Sequence, residues 1–222
     1  MHRIEIETEV DLLALNKKLA RENREFFKKN GITAFNIMGA IGSGKTLLIE
    51  RTVEALGSEL KIGAILGDVV CDADYARVAK LGIKAEAVNT GKECHLDANL
   101  LHHRIKDFAD VDVLLIENVG NLICPVDFDL GEDYRVVMVS VTEGDDVIGK
   151  HPEIFRLADL IIINKVALAD AVGADVEKMV EDARNLSNAE IIRMDLKKGI
   201  GFNEWLNFVR RAVNVSGNPG KG

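Results

Sequence analysis

Positions 39–46 read GAIGSGKT, a short loop that combines three closely spaced glycines with a lysine and two hydroxyls. Gly39, Gly42 and Gly44 let backbone N–H groups turn inward around a phosphate. Lys45 can reach its β/γ oxygens, Thr46 offers a hydroxyl to Mg²⁺, and Ser43 lies inside the same cradle. The context completes the P-loop pattern: an apolar run, Thr33–Met38, comes before the loop and a helical stretch, Lys45–Leu56, comes after it. A helix N-terminus there adds partial positive charge. The alternative, a glycine-rich turn with no ligand, does not require so complete a strand, loop and helix. Kinases, ATPases and GTPases all use such a loop, so other segments must discriminate.

The run Val113–Ile116 ends in Glu117-Asn118-Val119-Gly120. An acid at such a strand end holds Mg²⁺ directly or through water, and the N–H of a following glycine, here Gly120, can sense a γ-phosphate. Glu117 stands where Asp is commoner, and its longer side chain still reaches through a water. Thr46 and Glu117 are then the magnesium pair, the alternative being a surface Glu after a buried strand. Asp68 and Asp74 lie close together in GDVVCDADYAR and could coordinate Mg²⁺ or orient an attacking water, although Asp74 could equally cap the helix that follows. Lys45, Asp68, Asp74 and Glu117 are thus the candidate catalytic groups.

Asn164-Lys165 directly follows the run Leu160–Ile163. In GTPases an Asn-Lys-x-Asp box stands there. Its Asp accepts hydrogen bonds from guanine N1–H and N2–H₂, an arrangement adenine cannot match. This chain reads Asn164-Lys165-Val166-Ala167, and a site without its reading carboxylate should lose much of its discrimination. Asp170, three residues on, and Asp195 in the segment MDLK are two candidate replacements.

Cys94-His95 and Cys124 each follow shortly after a segment at the same end of the expected sheet. Thiolate and imidazole are ligands that Zn²⁺ prefers and Ni²⁺ accepts. Read on their own, these residues could equally be buried cysteines and a satisfied polar histidine. Cys71 has no such neighbour and reads as structural. Three cysteines make no disulfide framework.

Elements must position these groups. A helix is expected over Val10–Asn30, with apolar residues at Leu12, Leu13, Leu15, Leu19, Phe26 and Phe27. Strand-like runs at Thr33–Met38, Lys61–Leu66, Val113–Ile116, Arg135–Val141, Leu160–Ile163 and Glu190–Met194 then alternate with helical stretches. Those stretches are Lys45–Leu56, Tyr75–Lys80, Asp97–Phe108, Ile154–Leu157, Asp175–Asn185 and Asn203–Val213. The alternation predicts an α/β fold, a doubly wound, mostly parallel sheet with helices on both faces. Several runs are apolar throughout, as when both sheet faces are buried. One domain is expected over residues 1–214, with a disordered tail at 215–222.

The net charge of −8 argues against nucleic acid as a partner. No apolar run approaches the roughly 20 residues needed to span a bilayer. The start MHRIEIETEV has no signal-peptide pattern, so a cytoplasmic protein is expected.

Six segments together carry a resemblance: GAIGSGKT, TGKECHLDANL, ENVGNLICP, TEGDD, ADLIIINK and GFNEW. Through them residues 10–212 resemble the HypB family of hydrogenase nickel-incorporation GTPases, P-loop proteins related to the UreG urease accessory GTPases. The resemblance implies hydrolysis of GTP with Mg²⁺, and a homodimer that forms when nucleotide binds. It implies phosphate contacts from Gly42, Gly44, Lys45 and Thr46, with Mg²⁺ on Thr46 and Glu117 aided by Asp68 or Asp74. It also implies Zn²⁺ or Ni²⁺ on Cys94, His95 and Cys124, with water, a second subunit, or His102 or His103 completing the site. A hydrogenase large subunit and a nickel-binding accessory protein are the implied partners. Two departures stand out: Ala167 replaces the guanine-reading Asp, and MHRIEIETEV carries neither the cysteine motif nor the histidine-rich stretch found in many relatives. The rival readings are a P-loop small-molecule kinase, an ATPase of the same class, and a zinc-bridged dimer in which nucleotide serves only folding.

Overall fold

The computed structural model describes residues 2–68, 73–91 and 95–216, apart from the side chains of 2–11, 68, 73, 125 and 216. Cys71, Cys94 and positions 217–222 of the expected tail lie outside these residues.

In chain order the elements are α1 (His2–Asn30), β1 (Thr33–Met38), α2 (Lys45–Leu56), β2 (Ile62–Asp68), α3 (Ala73–Ala79), β3 (Lys84–Asn89), α4 (Ala98–His102) and β4 (Val113–Glu117). There follow β5 (Tyr134–Ser140), α5 (Val147–Lys150), α6 (Pro152–Arg156), β6 (Leu160–Asn164), α7 (Ala169–Val172), α8 (Val176–Leu186), β7 (Glu190–Arg193) and α9 (Phe202–Ser216). The strands form one sheet in the order β3-β2-β4-β1-β5-β6-β7, and every pair is parallel. The expected doubly wound architecture is therefore present. Because β1 lies between β4 and β5, the connections leave it in both directions and open a crevice at the carboxyl ends of these strands, where ligands of such folds bind.

The period-two pattern of the strands explains the two layers of helices. Phe35, Ile37, Val113, Leu115, Val136 and Leu160 pack in one core with residues of α2 and α9. Their neighbours Ala34, Leu114, Val137 and Ile161 point the other way, into cores shared with α8 and α6 or with α1 and α4. On the first face Trp205 is fully buried against Phe35 and Phe208, and its indole N–H donates to Thr52 Oγ1 at 2.7 Å.

The stripe expected on α1 is only partly used for packing. Phe27 is buried, but Leu12 and Leu15 are exposed. Much of the docking is polar instead. Asn16 and Asn23, seven positions apart and so on one helix face, are both buried. Asn16 accepts from Ala98 N at 2.7 Å and donates to Asp129 O at 2.9 Å. Asn23 donates to Ala98 O and Leu130 O at 3.1 and 2.9 Å. The helix thereby ties together two loops at the start of α4 and before β5.

Three expectations are corrected. β3, which the sequence reading missed, is an edge strand of sequence KAEAVN, rich in alanine and charge and only partly buried, so it lacks the apolar signature of the inner strands. The single helix expected over Asp97–Phe108 is divided into α4 and a 3-10 turn, Ile105–Phe108, which lets both Ile105 and Phe108 reach the core. α1 starts at His2, eight residues earlier than expected.

Candidate functional site

Beyond Met38 the chain turns through the glycine loop into α2. Gly39, Gly42 and Gly44 have φ of +151°, +80° and +111°, backbone that side chains resist. Two of these positions are closed to a Cβ on steric grounds as well. One on Gly39 would stand 2.1 Å from the Met138 carbonyl oxygen, and one on Gly44 would stand 2.5 Å from Asn164 Nδ2. Gly44 occupies the N-cap of α2 and offers no side chain to cap the helix, so its first-turn N–H groups face the loop with the positive end of the helix dipole. Ser43 Oγ is buried in the same loop and has no hydrogen-bond partner among the described residues.

Lys45 is buried, and its ammonium donates to Gly39 O at 2.9 Å and Ala40 O at 3.0 Å. Burial pushes its pKa below the ordinary lysine value, against the pull of Glu117, Glu143 and Asp74. At the next residue, Thr46 Oγ1 donates to Glu117 Oε1 at 3.0 Å. This pair is 71 residues apart in sequence. It meets because β1 and β4 are parallel neighbours in a register that sets Ile37 beside Glu117. A hydroxyl and a carboxylate in contact at the end of a phosphate loop are the hard oxygen donors that suit Mg²⁺.

A cavity of about 370 Å³ opens here, with Lys45, Thr46, Glu117, Gly120 and Asp74 on its wall. Gly120 packs so closely on the loop that a Cβ would fall 2.3 Å from Ile41 Cγ1. Asp74 sits in the first turn of α3, paired with Arg77 at 3.0 Å. Asp68 closes β2 beside Asn89, and its side chain lies outside the described set.

On the other side of the loop Asn164 Nδ2 donates to Ser43 O at 2.7 Å, and Lys165, itself at φ +60°, donates to Gly42 O at 2.7 Å. A second cavity of about 330 Å³ is bounded by Asn164, Lys165, Leu168, Asp195 and Leu196. It shares Gly44 and Leu47 with the first, so the two lie side by side at the start of α2. Ala167 lies in the 3-10 turn Val166–Leu168. Of the two aspartates considered as replacements, Asp195 borders this cavity, whereas Asp170 is exposed on α7.

The expected metal ligands are only partly described. His95 stacks on Phe128 with ring centroids 3.8 Å apart. Cys124, half-buried, begins the 3-10 turn Cys124–Asp127. Cys94 lies outside the described residues. Among the described residues no three His, Cys, Asp or Glu side chains gather into a metal-holding group. His102, considered as a further ligand, meets Asn23 Oδ1 of α1 at 2.9 Å.

Sequence reasoning passed over Asn118. This amide is buried between the two regions. Its Oδ1 accepts from Leu96 N at 3.0 Å and Val119 N at 2.9 Å, and its Nδ2 donates to Asn36 Oδ1 at 3.2 Å. Asn36 donates in turn to Glu132 Oε1 at 3.2 Å. Burial pushes the Glu132 carboxyl upward, against the attraction of Arg135. The available signal was Asn36 itself, an amide in an otherwise apolar strand that needs a buried partner.

The arrangement can hold a polyphosphate at the start of α2 and a flat ring in the adjoining cavity. No described helix is long and apolar enough to cross a membrane. A family model described as the CobW/HypB/UreG nucleotide-binding domain matches residues 33–193. The probable hydrogenase maturation factor HypB of Methanocaldococcus jannaschii is 52% identical over 206 residues, covering 91% of this chain and 93% of the relative. Two crystal structures are similar throughout. HypB from Archaeoglobus fulgidus has 70% identity and a TM-score of 0.88, covering 90% of this chain and all of that one. HypB from Helicobacter pylori in complex with nickel has 32% identity and a TM-score of 0.85, covering 93% of this chain and 99% of that one.

Proposed function

The chain belongs to the CobW/HypB/UreG family, and from that premise we propose that it is a GTP-hydrolysing maturation factor that couples its nucleotide state to the handling of nickel for an NiFe hydrogenase. The observation that carries the reading is that the two cavities adjoin at the start of α2, where Gly44 and Leu47 line both. The phosphate-side cavity contains Lys45 and the Thr46–Glu117 pair, and the second has Asn164 and Lys165 on its wall.

In this reading the phosphates lie along the glycine loop and the N-terminus of α2. Thr46 and Glu117 are the residues that hold Mg²⁺, which neutralises phosphate charge when bound. Lys45 exchanges its two loop carbonyls for β/γ oxygens. A water attacks the γ-phosphorus in line, a new P–O bond forms as the bond to the β–γ bridging oxygen breaks, and the water's proton leaves to phosphate or solvent. Asp74, on the cavity wall, and Asp68 at the end of β2 are the carboxylates offered to that water. Gly120 reports the γ-phosphate through its packing on Ile41. Preorganised charge around the transferring group accounts for the acceleration.

Phosphate release from GTP and from ATP at matched concentrations is the direct test. A clear GTP preference is expected. Equal turnover of the two, or a phosphorylated small-molecule product in place of free phosphate, would overturn the reading.

Nickel is cargo, held by Cys94, His95 and Cys124, with Zn²⁺ as the alternative occupant of the same soft and borderline ligands. The coupling is short in sequence: Glu117 and Gly120 precede Cys124 by a few residues, and Asn118 grips Leu96, next to His95. Ile41 and Ile123 are exposed at neighbouring loops and suit a second copy that docks when nucleotide is bound. A homodimer, a hydrogenase large subunit and a nickel-binding accessory protein are the partners of this reading, in the cytoplasm. Linkage requires that nucleotide alter metal affinity and metal alter nucleotide affinity by the same factor. Titration of Ni²⁺ with and without a non-hydrolysable GTP analogue should give affinities that differ by about 5-fold or more. Superimposable isotherms would reject the coupling.

A further inference from the structure

The loop after β6 offers no carboxylate to a base, because Ala167 presents only a methyl group where a guanine-reading Asp is expected. The tertiary structure supplies one from the next strand. β7 runs parallel to β6, so its chain arrives at the same end of the sheet, and the two loops are laced together. Met194 N donates to Ile163 O at 2.8 Å, Val166 N to Met194 O at 3.1 Å, and Leu196 N to Asn164 Oδ1 at 3.4 Å. Asp195 lies between the two tied residues, Met194 and Leu196. It is 6% exposed and is the one carboxylate on the wall of the 330 Å³ cavity among the described residues.

Its position is fixed by the turn that follows β7. Asp195 exchanges backbone hydrogen bonds with Ile200 at 3.0 and 3.1 Å, and its Oδ1 accepts from Lys198 N at 3.0 Å. A carboxylate offers about four acceptor positions, so one bond to Lys198 leaves capacity for a ligand with adjacent donors. The other walls include Leu47, Leu168 and Leu196, which suit the faces of a flat ring. The same wall carries Lys165, Lys197 and Lys198, and a buried carboxylate is costly unless charge or donors meet it. Guanine presents two adjacent donors, N1–H and N2–H₂. Adenine presents a lone pair at N1, which a carboxylate repels.

We propose that Asp195 reads the guanine base from the loop after β7, in place of the carboxylate missing at position 167. The proposal rests on the GTP reading above and deepens it. Asp170 has no such part, since it is exposed on α7 away from the cavity wall.

The test compares GDP, xanthosine diphosphate and ADP by calorimetry on the full chain with Mg²⁺, for the native protein and Asp195→Asn. An amide keeps an oxygen for Lys198 N–H but puts an N–H₂ where guanine also donates. Xanthine carries a carbonyl at C2 and accepts from that amide. The expected result is a GDP affinity at least 10²-fold above that for ADP in the native chain. In the variant GDP binding should fall on the order of 10²-fold, and xanthosine diphosphate should become the preferred ligand. A merely structural role at the turn cannot produce that gain. Undiminished GDP affinity in Asp195→Asn, with the native preference intact, overturns the role of Asp195 alone. Equal GDP and ADP affinities in the native chain sink the GTP reading and this one with it. Should Asp195→Asn fail to fold, Asp195→Ser keeps a short acceptor for the turn without the carboxylate, and retained guanine preference there would overturn the proposal.

Discussion

Alanine in place of Lys45 should lower GTP turnover by at least 10²–10³-fold, the cost typical of removing one preorganised group from a developing anion. The ammonium is already stationed at the loop, 2.9 and 3.0 Å from the carbonyls of Gly39 and Ala40, so its partners are exchanged for phosphate oxygens without a search. Its low-dielectric position makes the interaction stronger than at a surface. The loss should appear mainly in kcat/KM, with far-UV circular dichroism and thermal unfolding confirming that the variant folds. A second readout comes from the same side chain. Because burial holds the Lys45 pKa below that of a free lysine, kcat/KM should fall on the alkaline side at a lower pH than an exposed lysine would require. Bound phosphates favour the ammonium, so the corresponding limb in kcat should lie at higher pH. Turnover of Lys45→Ala within a few-fold of the native value would remove Lys45 from the mechanism.

Gly39→Ala should be the most damaging single-methyl change in the loop, and Gly42→Ala a mild one. At Gly39 two penalties coincide: φ of +151°, and a Cβ that would lie 2.1 Å from the main-chain oxygen of Met138. That oxygen belongs to a buried central strand, β5, and cannot yield as the tip of a side chain could. Gly39 also bridges Asn121, so a shift there is carried toward Gly120. A destabilisation of at least about 3 kcal/mol is expected from combined strain and overpacking. For a chain of this size that lowers the melting temperature by roughly 6–12 °C. Gly42 has φ of +80° but open space around its Cα, so backbone preference alone applies, about 1 kcal/mol. Thermal unfolding of the two variants side by side measures the difference. Equal melting temperatures would mean that the close approach to Met138 is relieved at little cost.

The inner strands could be read from the chain because burial on both faces demands unbroken apolar runs such as Leu160-Ile161-Ile162-Ile163. β3 could not, since an edge strand is under no such demand and KAEAVN is compatible with a loop. The break after α4 was equally hidden. The periodicity of Leu100, Leu101, Ile105 and Phe108 fits one helix, and only packing against the sheet shows that Ile105 and Phe108 approach it through a 3-10 turn. At the site, the loop at 39–46 was legible because its chemistry is local, a few consecutive residues followed by the helix they cap.

Elements whose causes lie within about a dozen residues were legible along the chain: the phosphate loop, the apolar strands, the alternation that makes the sheet parallel. The carboxylate missing at Ala167 was legible too, but not what stands in its place. Tertiary structure decided every relation that depends on strand order. Thr46 meets Glu117 because β1 pairs with β4, and Asn118 grips Leu96 from 22 residues away. Asp195, rather than the nearer Asp170, reaches the second cavity because β7 pairs with β6. Such contacts are set by which strands become neighbours, and that choice minimises the exposed apolar area of the whole chain, a quantity that no short segment encodes.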